Sequence, residues 1–192
     1  LPAGGHEADR LVIGAGVTGL SAALYAAGRG ASVVVLEASD IGWGASGRSG
    51  AQAICGVACG EAKLEKLIGA ADTRRIWDIS VEGLELIRQR IAQHSIDCDY
   101  VAGQMHVAIK PRQEHELRTW AHELQSNFGY GSIRFVEREE MRSLVASERY
   151  LSGTFDSASG HLHPLNYTLG LAAAAVRAGV RIFEGSRALS FE

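Results

Sequence analysis

The sequence lacks the features that mark several large classes of protein. Its three cysteines, Cys55, Cys59 and Cys98, are an odd number, which argues against a disulfide framework and favours a reducing, cytoplasmic setting. No apolar run approaches the roughly 20 residues of a membrane-spanning helix, and no signal peptide precedes the first predicted strand. The formal net charge of −3 gives no electrostatic reason to expect a nucleic acid or an anionic membrane as a partner.

Metal-ligand spacing is also missing. Cys55 and Cys59 are close enough in sequence to suggest zinc, but no second Cys/His cluster has the spacing that such a site needs. His161 and His163 precede a predicted helix, where they either serve catalysis or a metal, or pack a structural loop. No Ser/His/Asp or Cys/His constellation is evident, so the sequence predicts no metal site and assigns no catalytic residue.

What the sequence does contain is enough apolar material for a folded core. Of its 192 residues, 46% are hydrophobic and 21% are charged, which is ordinary for a globular protein. This length predicts one domain, or one domain and part of another.

The most informative stretch covers residues 11–23, where a short apolar run ends in glycines with the spacing G-x-G-x-x-G. Gly14 permits a sharp turn from strand to helix, Gly16 lets a diphosphate approach the backbone, and Gly19 lets the helix lie close to the strand. The helix N-terminus offers free N–H groups and a positive dipole end to the phosphates. Alone, the pattern is also typical of an ordinary turn; as part of a βα unit it predicts a dinucleotide site.

An acidic residue follows at the distance expected for such a site. Residues 33–36 form an apolar run that predicts a buried parallel strand. Glu37 ends this run about 20 residues after the glycines, where a carboxylate accepts hydrogen bonds from the adenosine ribose. The alternative for Glu37 is a solvated strand end.

A glycine- and serine-rich segment then replaces the helix and third strand expected of a nicotinamide-binding fold. Residues 42–48 read G-W-G-A-S-G-R. They are either a flexible surface loop or a second anion cradle, in which the Ser46 hydroxyl, the Arg48 charge and glycine N–H groups point inward. The position directly after Glu37 favours the cradle.

Together, the glycine motif, Glu37 and the G-W-G-A-S-G-R segment resemble the N-terminal part of FAD-dependent amine and amino-acid oxidoreductases of the D-amino-acid oxidase superfamily. The segment is most similar to the branch that contains gamma-glutamylputrescine oxidoreductase. In that branch the loop continues Asn-Gly-Gly-Gln, whereas this chain has Ser49-Gly50-Ala51-Gln52, and the methyl group of Ala51 is expected to crowd a flavin.

The resemblance implies FAD as cofactor and a small-molecule amine or amino acid as substrate. A hydride would pass from the substrate α-carbon to flavin N5 and the imine would be hydrolysed, which requires no strong catalytic base. Ser46 and Arg48 are predicted to contact the pyrophosphate or the flavin edge, and Ser49 and Gln52 are predicted to lie near the ring. His163 is expected in a structural or pocket-lining role. The full set of predicted cofactor-binding residues is Gly14, Gly16, Val17, Thr18, Gly19, Glu37, Ala38, Gly44, Ala45, Ser46, Arg48, Ser49 and Gln52.

The implied fold class is α/β, a Rossmann-like FAD-binding domain with a parallel sheet plus part of an inserted α+β substrate domain with an antiparallel sheet. We expect the FAD-binding domain over 1–97 and 146–192, with the partial substrate domain over 98–145. Apolar periodicity predicts helical structure over 61–95 and half-buried strands on both sides of a turn at Gly103.

Members of the superfamily are considerably longer, so the resemblance implies that the C-terminal half of the architecture is absent and that this piece alone is inactive. A catalytically silent dinucleotide-binding module or subunit is the main alternative. A nicotinamide dehydrogenase is a third, which the segment at 42–48 disfavours. The sequence does not identify the amine, the electron acceptor, the mode of flavin attachment or the oligomeric state.

Overall fold

A computed structural model describes residues 5–190 and shows a mixed α/β fold with one parallel and one antiparallel sheet, which confirms the predicted fold class. None of its helices has both the length and the apolar character needed to cross a bilayer. In chain order the elements are β1 (Arg10–Ile13), α1 (Val17–Ala27), β2 (Val33–Leu36), α2 (Ala45–Arg48), β3 (Gln52–Ala53), α3 (Glu61–Ile68), α4 (Ala70–His94), β4 (Val101–Ala108), α5 (Pro111–Phe128), β5 (Ile133–Val136), α6 (Arg138–Leu144), β6 (Ser152–His161), α7 (Pro164–Arg177) and β7 (Arg181–Phe183).

The described chain forms two compact units. The first comprises residues 5–51, 87–100 and 162–190, and the second comprises residues 52–86 and 101–161. Compactness does not show which residues bind a cofactor or a substrate. The predicted division into FAD-binding and substrate domains therefore stays a prediction.

The first unit is built on a parallel sheet with the strand order β1-β2-β7. Val33, Val34 and Val35 of the central strand are all buried, and since neighbouring side chains point to opposite faces, both faces of this strand are covered. Helices α1 and α7 pack together beside the sheet, where Leu20 and Leu171 are fully buried.

The second unit is built on an antiparallel sheet in which the long strand β6 pairs with β3, β4 and β5. Its apolar cluster contains Trp77, Leu124, Tyr130 and Ile133. The ring of Tyr130 meets that of Trp77 edge to face, with 5.2 Å between the ring centroids, a geometry that the charge distribution of aromatic rings favours.

Two glycines with positive φ shape the elements of the second unit. Gly103 was expected in a turn between strands, but β4 runs continuously past it and the register with β6 shifts between Ala102 and Gln104. Gly103 has φ +102°, which lets the strand absorb this irregularity without ending. The predicted helical region over 61–95 is two helices, because Gly69 between α3 and α4 has φ +83°.

Candidate functional site

The corner between β1 and α1 is shaped by its glycines. Gly14 has φ +100°, and its N–H donates to the carbonyl oxygen of Leu36 over 2.8 Å, which joins the end of β1 to the end of β2. A Cβ atom on Gly19 would lie 2.0 Å from the carbonyl oxygen of Gly14. Glycine at this position therefore lets helix and strand approach, as the motif predicts.

The first turn of α1 presents several N–H groups that the described part of the protein does not use. Gly16 is the N-cap and has extended backbone without a side-chain cap. The N–H groups of Gly16, Thr18 and Gly19 have no hydrogen-bond partner among the described residues. These amides lie at the positive end of an 11-residue helix, which is suited to an anion such as a diphosphate.

Ser46 lies over this corner. Its Oγ accepts a hydrogen bond from the N–H of Val17 over 3.0 Å, and a Cβ atom on Gly16 would lie 2.7 Å from that oxygen. The structure therefore brings the glycine motif and the segment 42–48 together, although 29 positions separate Val17 from Ser46.

The segment around Ser46 is not the flexible surface loop that was its alternative interpretation, because it contains the short helix α2. Two of its glycines allow close packing. A Cβ atom on Gly42 would lie 3.1 Å from side-chain atoms of Leu165 and Thr168, and one on Gly47 would lie 2.3 Å from the carbonyl oxygen of Gly42. Gly42 and Gly47 thus let α2 pack on α7, a role that sequence spacing did not indicate.

Glu37 faces the same corner. One carboxylate oxygen accepts a hydrogen bond of 2.7 Å from the N–H of Ala15, and the other accepts one of 2.9 Å from the N–H of Ser39. An ionised carboxylate has about four acceptor positions, so these two bonds leave capacity for ribose hydroxyls. The ribose contact itself stays a prediction.

The segment after β7 also reaches this region, which the sequence did not predict. The N–H of Ser186 donates to the carbonyl oxygen of Glu37 over 2.7 Å, and the N–H of Ile41 donates to the carboxylate of Glu184 over 2.7 Å. Residues 186–190 form no strand. No local pattern indicates a contact across more than 140 positions.

Arg48 and Trp43 form a pair next to Ser46. The guanidinium carbon of Arg48 lies 4.4 Å from the centroid of the Trp43 ring, and 55% of Trp43 is exposed. Arg48 forms no ion pair within the described range. Its charge is therefore available to an anionic ligand.

The other predicted site residues differ in setting. Thr18, Ala38, Gly44, Ala45 and Ser49 are exposed. Gln52 is also exposed, but it begins β3 in the second unit, where it pairs with His161.

The two histidines have separate structural positions. His161 is the last residue of β6 rather than part of the predicted pre-helix loop, because Gln52 and Val101 pair with it. His163 is the N-cap of α7, and its Nδ1 accepts the N–H of Asn166 over 3.2 Å, which supports the structural alternative. In the described part of the chain, no three His, Cys, Asp or Glu residues are grouped so that they could hold a metal ion.

A second polar cluster surrounds Asp156 in the second unit. Its carboxylate accepts hydrogen bonds from the hydroxyl groups of Tyr130, over 2.9 Å, and Ser159, over 2.6 Å. Burial, with the nearby Asp156 carboxylate, raises the pKa of the Cys55 thiol, which lies 3.9 Å from that carboxylate. The thiol is therefore held protonated and is a poor nucleophile.

The chain is similar to known proteins over most of its length. The family model described as FAD dependent oxidoreductase (DAO) matches residues 9–192. The probable oxidoreductase OrdL of Haemophilus influenzae is 45% identical over 181 residues, which are 94% of this chain and 42% of that protein. Gamma-glutamylputrescine oxidoreductase of Escherichia coli is 39% identical over 180 residues, which are 92% of this chain and 41% of that protein.

A solved structure shares the fold. L-amino acid deaminase from Proteus myxofaciens, in complex with anthranilate, matches 96% of this chain and 40% of its own with a TM-score of 0.79, at 24% identity. The chain thus spans less than half the length of these relatives.

Proposed function

The chain belongs to the DAO family of FAD-dependent oxidoreductases, and from that membership we propose that it is the FAD-binding part of an enzyme that oxidises the C–N bond of an amine or amino acid. The observation that carries the proposal is the corner itself, where N–H groups without a partner among the described residues lie next in sequence to those that bond to Ser46 and to the Glu37 carboxylate. The names of two relatives, gamma-glutamylputrescine oxidoreductase and L-amino acid deaminase, support the substrate class.

The residues of the corner fit the anionic and sugar parts of FAD. The N–H groups of Gly16, Thr18 and Gly19 would donate to the diphosphate, and the missing side chain of Gly16 leaves them accessible. Arg48 would add a positive charge, and Glu37 would accept the ribose hydroxyls while it holds the N–H of Ala15. When bound, FAD supplies the hydride acceptor for C–N oxidation, so the chain's task is binding and orientation.

We assign the remaining predicted positions to the same cofactor. Val17 donates its N–H to Ser46, Ala45 precedes Ser46, Ala38 follows Glu37, and Gly44 is the N-cap of α2. Ser49 and Gln52 remain our candidates near the flavin ring.

We further propose that this length of chain does not turn over by itself. Strand β1 is at the edge of the parallel sheet, yet Leu11 and Ile13 on it are 57% and 54% exposed. Large apolar side chains on an open edge favour further protein against it. The relatives are more than twice as long, which supports the idea that their remaining part completes the enzyme.

A catalytically silent dinucleotide-binding subunit is the second candidate, because the chain matches less than half of each relative. Hydrogen peroxide release on addition of amines to a longer, FAD-loaded protein would favour the oxidoreductase. FAD binding without reduction of the flavin by any amine would favour the silent subunit.

FAD titration of two glycine variants tests the proposed site. Gly16→Ala places a methyl group 2.7 Å from Ser46 Oγ, on the residue whose own N–H we assign to the diphosphate. We therefore expect FAD affinity to fall at least about tenfold, which corresponds to 1.4 kcal/mol. Gly131→Ala is the matched control, since a Cβ atom there meets nothing within 4 Å, and it should bind like the original chain.

Circular dichroism first verifies that both variants are folded. Equal FAD affinity of Gly16→Ala and Gly131→Ala would show that the corner is not the site.

A further inference from the structure

Trp43 is exposed without an evident reason in the fold. The residue is 55% exposed, whereas the other two tryptophans lie in or next to the apolar cluster of the second unit. One contact of the ring is specific, since the Arg48 guanidinium lies 4.4 Å from its centroid. An arginine at this distance over an indole is held by attraction between the cation and the ring electrons.

The backbone that carries Trp43 and Arg48 is hydrogen-bonded to the corner between β1 and α1. The N–H of Gly42 donates to the carbonyl oxygen of Ala15 over 3.2 Å, and the N–H of Trp43 donates to that of Asp40 over 3.1 Å. Ser46, two residues before Arg48, accepts the N–H of Val17. The main chain at both ends of the pair is therefore anchored, and the long Arg48 side chain is the part left to be ordered.

An unrestrained arginine loses many rotamers when it binds an anion, which weakens the interaction. Stacking on Trp43 imposes part of that order before the ligand arrives, and preorganisation of this kind raises affinity. Arg48 also has no carboxylate partner among the residues in the structure. Its charge thus need not be released from an ion pair first.

We propose that Trp43 is a positioning residue for the cofactor, because it holds the Arg48 guanidinium ready for the diphosphate of FAD. This inference rests on the proposed function, since it assumes that FAD binds at the corner. Sequence spacing did not indicate it, and Trp43 was not among the predicted site residues.

Equilibrium FAD titrations, followed by flavin fluorescence, test the role of Trp43. Loss of the ring in Trp43→Ala should weaken FAD binding about fivefold, and Trp43→Phe, which retains an aromatic face, should recover most of the affinity. In the Arg48→Gln background, Trp43→Ala should have no further effect, because the tryptophan acts through the arginine.

A matched control lies on α1. The guanidinium of Arg29 lies 3.7 Å from the ring centroid of Tyr25, which is 58% exposed, so Tyr25→Ala removes the same kind of contact away from the corner. FAD affinity should not change in this variant. Melting temperatures of all variants show that each is folded at the titration temperature.

The outcomes separate the two proposals. A folded original chain that binds no FAD overturns the proposed function and this inference with it. If the original chain binds FAD, equal affinity of Trp43→Ala, or an undiminished effect of that change in the Arg48→Gln background, overturns the role of Trp43 alone.

Discussion

Ala51 has a left-handed backbone with φ +65°. This conformation costs a residue with a Cβ atom about 1–2 kcal/mol relative to its ordinary conformations. The branch that the sequence resembles has glycine here. The sequence comparison predicted crowding of the flavin by the alanine methyl group, and the structure adds a backbone cost that is present without any ligand.

We expect Ala51→Gly to raise the free energy of unfolding by about 0.5–1 kcal/mol, because glycine relieves the left-handed strain but adds some unfolded-state entropy. Urea denaturation measures the change. Ala31→Gly is the control, since Ala31 is not among the residues with positive φ, and it should leave stability unchanged or lower it. A lower free energy of unfolding in Ala51→Gly would contradict the backbone strain at Ala51.

The three cysteine thiols should react at different rates. Cys59 is exposed, whereas Cys98 is buried and Cys55 is partly buried. Burial raises the pKa of both Cys55 and Cys98, which lowers their thiolate fraction at pH 8, and the thiolate is the reactive form. Iodoacetamide at pH 8, followed by peptide mass spectrometry, should modify Cys59 first. Earlier modification of either other cysteine would contradict the burial.

At the scale of elements, the contact between α1 and β1 is the tightest feature of the corner. Gly19→Ala places a methyl group 2.0 Å from the carbonyl oxygen of Gly14, so the helix must move and we expect a loss of about 1–3 kcal/mol in the free energy of unfolding. Gly83→Ala in α4 meets nothing within 4 Å and should raise stability by up to about 1 kcal/mol.

Thermal or urea unfolding of these two variants distinguishes a packing effect from a general effect of glycine replacement. If both changes stabilise the protein, α1 does not lie as close to β1 as the structure shows.

The elements that the sequence predicts well are those specified by neighbouring residues. The strand at 33–36, the turn at Gly14 and the close approach at Gly19 follow from local residue type and spacing. Helix α2 and the register shift at Gly103 were missed, because packing on α7 stabilises α2 and pairing with β6 continues β4 through a glycine.

Contacts between distant segments were beyond local reasoning. The bond from the N–H of Ser186 to Glu37, and that from Ile41 to Glu184, depend on how β7 joins the parallel sheet. The stacking of Arg48 on Trp43 depends on the turn that α2 makes. No periodicity in the sequence indicates such contacts, so they are seen only in the three-dimensional structure.

At the scale of the whole molecule, the chain has two compact units, and the residues of the corner that we assign to the FAD diphosphate and ribose all lie in the first. Ser46 and Glu37 both accept hydrogen bonds from the turn that contains Gly16. The chain matches less than half of each relative's length, so cofactor binding is the part of the activity that this chain can be tested for directly.

Displacement of FAD from the purified chain tests this central claim most directly. The corner provides hydrogen-bonding groups for the diphosphate and the ribose, which FAD shares with ADP. We assign none of these protein groups to the flavin ring. We predict that the folded chain binds FAD and that ADP displaces it, whereas riboflavin at the same concentration does not. A folded chain that binds no FAD, or FAD that riboflavin displaces and ADP does not, would contradict the account.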